Sequence, residues 1–240
     1  MKTLCLDFGN TRMKAAIFEN GHLTHTFVLN GDGISQIEEI MKVHQPEKSI
    51  LSSVIHHDTA INELLQTKTS FHQLNHLTKL NFTVPVGKPE TVGADRLALC
   101  AAVVHFYPGK NNLVIGLGSC ITYNFINKYN QFLGGSISPG LEMRFKAMHE
   151  QTALLPLIEK DWNFPLVGYD TKTNLLSGVI MGMSKEIEGI VEEYEKKYSN
   201  FNVVLTGGDC TYFERLLKKK IFADPNLLYK GLYAISETNS

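Results

Sequence analysis

The chain has 240 residues, 43% of them apolar and 20% charged, and 23 basic side chains stand against 24 acidic ones for a formal net charge of -1. That length suffices for one large domain or two smaller ones, each able to bury a core. The neutral balance excludes the electrostatic footprint of a nucleic-acid or anionic-membrane binder, and no apolar run is long enough to span a bilayer.

The chain opens on an apolar run that ends in a carboxylate, Leu4-Cys5-Leu6-Asp7. Phe8-Gly9-Asn10-Thr11-Arg12-Met13-Lys14 follows, and then a second apolar run, Ala15-Ala16-Ile17-Phe18. This predicts strand, tight turn, strand, with the dipeptide Asn20-Gly21 turning into a third strand over 22–29. Asp7 at the strand end is placed to hold Mg²⁺ directly or through water. Gly9 lets the backbone approach a phosphate, Asn10 and Thr11 can donate to its oxygens, and Lys14 adds a mobile charge. The same residues also make an ordinary polar hairpin turn. Ile34, Ile37, Ile40 and Met41 keep helical spacing, 49–55 is a buried-strand candidate, and Asp58 is a cap for a helix through Leu65. His56 and His57 at the strand end read as solvated loop residues.

Residues 85–89 are a loop, after which Gly93-Ala94-Asp95-Arg96 enters an apolar helix over 97–106. At a helix start an Arg can clamp a carboxylate or phosphate and an Asp can accept a proton from an alcohol; a capping Asp beside a surface Arg is the plainer account. A second cycle opens near Asn111. It runs strand over 113–117, Gly118-Ser119 turn, strand over 121–126, and polar turn over 127–131. The glycine-rich segment 133–140 then leads into a helix over 141–149. Thr171 precedes a long helix over 175–197 whose apolar stripe reads as core or dimer seam. A strand over 201–205 ends in Thr206-Gly207-Gly208, a glycine pair that could admit a flat adenine ring or form a plain strand-to-helix turn, and a last helix is expected to begin around 232–235. Lys218-Lys219-Lys220 closes a helix, where cations suit the dipole. The boundary between halves falls near 107–111, giving parts 1–108 and 109–240. Cys5, Cys100, Cys120 and Cys210 have no metal-ligand spacing and apolar neighbours, which predicts buried thiols in a reducing, cytoplasmic compartment.

Taken in order, these segments resemble the type III pantothenate kinases. The resemblance rests on Asp7-x-Gly9-Asn10-Thr11 with Lys14, Gly93-x-Asp95-Arg96, Gly118-Ser119 and Gly134-Gly135-x-Ile137-x-Pro139-Gly140. It continues through Thr152-Ala153-x-Leu155-Pro156, Thr171 ahead of Ser177-Gly178, and Thr206-Gly207-Gly208. It implies an α/β fold of the acetate-kinase, hexokinase and actin superfamily: two duplicated ribonuclease-H-like halves, mixed sheets flanked by helices, and nucleotide in the cleft between them. It also implies ATP-dependent phosphorylation of pantothenate and a homodimer. Carried over by residue, Asp7, Gly9, Asn10, Thr11, Lys14 and Ser119 would bind ATP and its phosphates, with Mg²⁺ at Asp7. Asp95 would be the general base. Gly93, Ala94, Arg96 and Thr171 would hold pantothenate.

Two positions depart from the family pattern. The family's monovalent-cation Asp is replaced by Gly116, so binding of K⁺ or NH₄⁺ is expected to be weakened or lost. A pocket tyrosine is replaced near Val86. These departures keep two alternatives open: a non-catalytic nucleotide-binding regulator, and a kinase of this fold acting on another small hydroxy acid. The retained Asp7, Lys14, Asp95 and Arg96 favour an enzyme, because a binding module needs no base beside a phosphate turn.

Overall fold

In the computed structural model, which describes residues 1–218 and 221–239, the chain folds into two compact units. One comprises residues 1–109, 126–133 and 226–240, and the other residues 110–125 and 134–225.

The first unit is built on a five-stranded mixed sheet. Its strands are β1 (Lys2–Phe8), β2 (Met13–Glu19), β3 (His22–Leu29), β4 (Lys48–Ser53) and β5 (Ser70–Gln73), in the order β3-β2-β1-β4-β5. β2 pairs antiparallel with β1 and β3, while β4 runs parallel to β1 and β5. The β2–β3 connection is the expected Asn-Gly turn, with φ of 49° at Asn20 and 86° at Gly21, the left-handed pair that a two-residue hairpin requires. The central strand β1 is buried from Thr3 to Leu6 because helices cover both faces. Leu4, Leu6 and Phe8 pack with Ile37, Ile40 and Met41 of α1 (Ile34–His44) and Ile61 and Leu65 of α2 (Thr59–Lys68). Asp58 caps α2 as expected, accepting from the N–H of Ala60 at 2.9 Å.

Strand periodicity turns Thr3, Cys5 and Asp7 to the opposite face. That face is covered by α3 (Ala94–Phe106) and α7 (Leu227–Thr238), with Tyr233 of α7 stacked on Phe18 at 4.6 Å. The two helices approach closely at Gly231, where a Cβ would lie 1.9 Å from the carbonyl oxygen of Ala98.

The second unit repeats the plan. Its strands are β6 (Asn111–Leu117), β7 (Cys120–Ile126), β8 (Phe132–Pro139), β9 (Phe201–Gly207) and β10 (Phe222–Ala223), in the order β8-β7-β6-β9-β10. That is the connectivity of the first sheet, with β6 in the place of β1 and β9 parallel to it. One face packs on α4 (Leu141–Glu150), α5 (Thr171–Lys197) and α6 (Cys210–Leu216). Leu176, Val179, Ile180, Met183, Ile187 and Val191 of α5 are buried in this core, so the stripe is core.

Several elements differ from expectation. The glycine-rich segment, for which no strand was expected, forms the edge strand β8, in which Gly135 lies so close to the Tyr123 carbonyl that no Cβ fits. The short strands β5 and β10 carry almost no apolar alternation and are defined by pairing with β4 and β9. Thr171 stands inside the first turn of α5, which Asp170 caps in a box with Thr173. The last helix starts earlier than expected, at Leu227. Lys218 lies beyond the end of α6, and Lys219 and Lys220 are outside the described residues.

Candidate active site

In the first unit, register assembles the site. Asp7 pairs with Lys14 across β1 and β2 and with Ser52 across β1 and β4, so the three side chains stand abreast on one face. α3, packed on that face, begins with Asp95 as its second residue. The Asp95 side chain folds back over the helix start, where a Cβ on Gly93 would lie 2.5 Å from its Oδ1. Its carboxylate accepts from the N–H of Arg96, yet burial still holds its pKa above the usual carboxylate range.

Burial likewise pushes Asp7 up to about 7; the charge of Lys14 pulls it down and that of Asp95 adds to the rise. Two buried carboxylates, one of which raises the other's proton affinity, with a lysine paired across the strands, are a donor set that a divalent cation would neutralise. Mg²⁺ is typically held by one or two carboxylates, with phosphate oxygens and water completing the shell. The arrangement fits that ion, and among the described residues no group of three or more His, Cys, Asp or Glu side chains is gathered for a closed metal site.

The turn between β1 and β2 is closed by the Gly9 N–H donating to the Arg12 carbonyl at 3.1 Å. A Cβ on Gly9 would make only ordinary contact, 3.4 Å from that carbonyl, so the protein itself does not require a glycine there. What the glycine leaves is room for a ligand against the backbone. Asn10 and Thr11 are exposed and, with Gly9, Arg12, Asn30 and Gly31, line an open cavity of about 380 Å³. Arg96 holds its guanidinium over the Phe132 ring, 5.6 Å from the centroid, a contact that helps fix the side chain. Ala94 is buried in the same turn of α3.

The second unit carries the remaining candidates. Ser119 stands in the β6–β7 turn, where its carbonyl accepts from the Gly140 N–H at 3.1 Å. Gly116 lies in β6 opposite Thr206, so that strand offers no carboxylate at this position. Gly208 faces open space. Thr171 is exposed at the start of α5, and Val86 is half-buried in irregular chain. Sequence reasoning did not single out Ser52 or Tyr229. Tyr229 on α7 is buried, and burial together with the charge of Asp7 raises its phenol well above the ordinary range. The signal for Tyr229 was its spacing of four residues from Tyr233, legible only once the helix is known to lie over β1.

Known proteins give the same answer. A family profile described as type III pantothenate kinase matches residues 3–193. A type III pantothenate kinase of Christiangramia forsetii is 42% identical over 238 residues, covering 98% of each chain, and one of Cytophaga hutchinsonii is 38% identical, covering 98% of this chain and 99% of its own. Among solved structures, a protein of Campylobacter jejuni described as a Baf family transcriptional activator superposes with a TM-score of 0.64 at 22% identity, covering 98% of each chain. A glucokinase from an Antarctic psychrotroph does so at 0.54 and 10% identity, over 100% of this chain and 99% of its own. At such identities the structural likeness shows the fold alone. On the profile match and the near full-length relatives, the chain belongs to the type III pantothenate kinase family.

Proposed function

We infer that the protein transfers the γ-phosphoryl group of ATP to the primary hydroxyl of pantothenate, giving 4′-phosphopantothenate, the first step of coenzyme A synthesis. The observation that carries this is the convergence of Asp7, Lys14 and Asp95 on one sheet face in a chain of this family. Phosphoryl transfer asks little covalent chemistry of a protein and much positioning and charge neutralisation. Mg²⁺, when bound, supplies charge neutralisation at the phosphate oxygens. The Gly9–Thr11 backbone and side chains cradle those phosphates, Lys14 pairs with them, and Asp7 anchors the cation side of the site.

Asp95 orients the pantothenate hydroxyl and receives its proton late, as charge develops on the attacking oxygen; its raised pKa makes it a better acceptor than an ordinary carboxylate. Arg96, Gly93 and Ala94 shape the substrate side and Arg96 pairs with the pantothenate carboxylate. In the second unit Ser119 contacts nucleotide, and Thr171 contacts pantothenate. A homodimer is supported by the apolar segment just before Thr171: Leu166, Val167 and Tyr169 are each at least 75% exposed, an unusual density for a free surface. No helix among the described residues is long and apolar enough to cross a membrane, and the four cysteines are free, which suits the cytoplasm.

The test is turnover of ATP and pantothenate followed by mass spectrometry, with and without potassium. Phosphopantothenate formed at a rate indifferent to potassium is expected, because Gly116 supplies no cation ligand. Absence of that product under all cation conditions would overturn the assignment; strong potassium dependence would overturn the reading of Gly116.

A further inference from the structure

A charged cluster in the second unit lies outside every assignment above. Glu186 of α5 forms an ion pair with Arg144 of α4 through Oε2, and its Oε1 accepts from the Tyr123 hydroxyl at 3.0 Å. Tyr123 is fully buried on β7, and the Ser138 hydroxyl also donates to the Glu186 carboxylate. Burial alone would raise Glu186, but these bonds outweigh it and hold its pKa below the usual range. The carboxylate is therefore a fixed anion satisfied from three elements.

Arg144 uses the rest of its fork on the chain just before its own helix. Its Nε donates to the Pro139 carbonyl at 2.8 Å and its Nη2 to Ser138 Oγ at 3.0 Å. The next residue, Gly140, presses on the β6–β7 turn: a Cβ there would lie 2.3 Å from the Gly118 carbonyl oxygen and 2.5 Å from that of Ser119. Gly140 also donates its N–H to Ser119. One continuous path of hydrogen bonds and close contact thus runs from α5 through Arg144 and the end of β8 to the Gly118–Ser119 turn.

We propose that Arg144, held by Glu186, is a positioning residue for the nucleotide, fixing the Gly118–Ser119 turn through Ser138, Pro139 and Gly140. The proposal rests on the reading of that turn as a nucleotide contact. A guanidinium is suited to the task because its planar fork reaches carboxylate, carbonyl and hydroxyl at once; a lysine ammonium can keep the ion pair but not the fixed geometry.

The test compares Arg144→Met, Arg144→Lys and Ser119→Ala with the wild type by steady-state kinetics and thermal melting. Arg144→Met is expected to raise KM for ATP about tenfold while leaving KM for pantothenate within about twofold. Arg144→Lys is expected to recover most of the lost Tm but not the KM for ATP, a split that a merely structural role would not give. Unchanged KM for ATP in both Arg144 variants, or both KM values rising in step with the loss of Tm, would overturn the positioning role. Ser119→Ala separates the two layers. A raised KM for ATP there, with normal Arg144 variants, removes the positioning role alone. No effect in any of the three removes the nucleotide reading of the turn as well. No effect in Ser119→Ala alone, with Arg144→Met impaired, places the contact on the turn's backbone, which Arg144 holds equally.

Discussion

Asp7 and Asp95 illustrate how a site is made from groups that would be more comfortable elsewhere. Each carboxylate is held above its ordinary proton affinity by burial, and Asp7 is raised further by Asp95. The sign of the consequence follows from proton counting. Between the ordinary value of 3.8 and about 7, the folded chain keeps a proton on Asp7 that the unfolded chain has released, so stability falls as pH rises through that window. In metal-free buffer, Asp7→Asn is therefore expected to melt with the wild type near about pH 4 and above it near about pH 8, while losing turnover. A lower Tm for the variant at the higher pH would contradict this account of Asp7.

Gly93 acts at the same scale. An added methyl group would lie 2.5 Å from Asp95 Oδ1 and must push the carboxylate aside. Gly93→Ala should lower kcat by about tenfold or more with little change in melting temperature, since a small misplacement of a reacting group is costly. Unaltered kcat would mean that Asp95 is free to reorient.

At the scale of elements, what positions Asp95 is the packing of α3 against α7. The contact at Gly231 leaves no space for a side chain beside Ala98. Gly231→Ala is expected to cost about 2 kcal/mol by forced separation of the helices, seen as a lower denaturation midpoint, and to reduce turnover because α3 carries the proposed base, Asp95. Wild-type stability would show that the crossing is looser than its geometry implies.

Elements with strong period were legible in the sequence: the β1–β2–β3 meander, the Asp58 cap, the apolar helix after Arg96 and the stripe of α5. Those whose structure depends on partners were not. Ser-Phe-His-Gln of β5 and Phe-Ala of β10 become strands only by pairing, and the glycines of β8 disguise a strand as a loop. Asp7, Lys14 and Asp95 could be named from motif, but their convergence on one face depends on sheet order, which local patterning does not contain. Ser52 and Tyr229 entered the site only through register and helix placement, for the same reason.

Over the whole molecule, two sheets of identical connectivity each carry part of the proposed site. The first unit holds the carboxylates, the lysine and the proposed phosphate turn, and the second holds the proposed nucleotide turn and Thr171. The exposed apolar residues just before Thr171 give the proposed dimer a definite test. Light scattering should report twice the 26.9 kDa chain mass for the wild type, and Val167→Asp combined with Tyr169→Ser should shift it toward the monomer. A monomeric wild type would remove the dimer from the account.

If Asp95 receives the proton of the attacking hydroxyl, Asp95→Asn separates catalysis from binding when its turnover is measured beside its affinity for ATP. A fall in kcat of about 10²–10⁴-fold is expected, with ATP bound as tightly as by the wild type. A variant that turns over pantothenate at the wild-type rate would contradict this role.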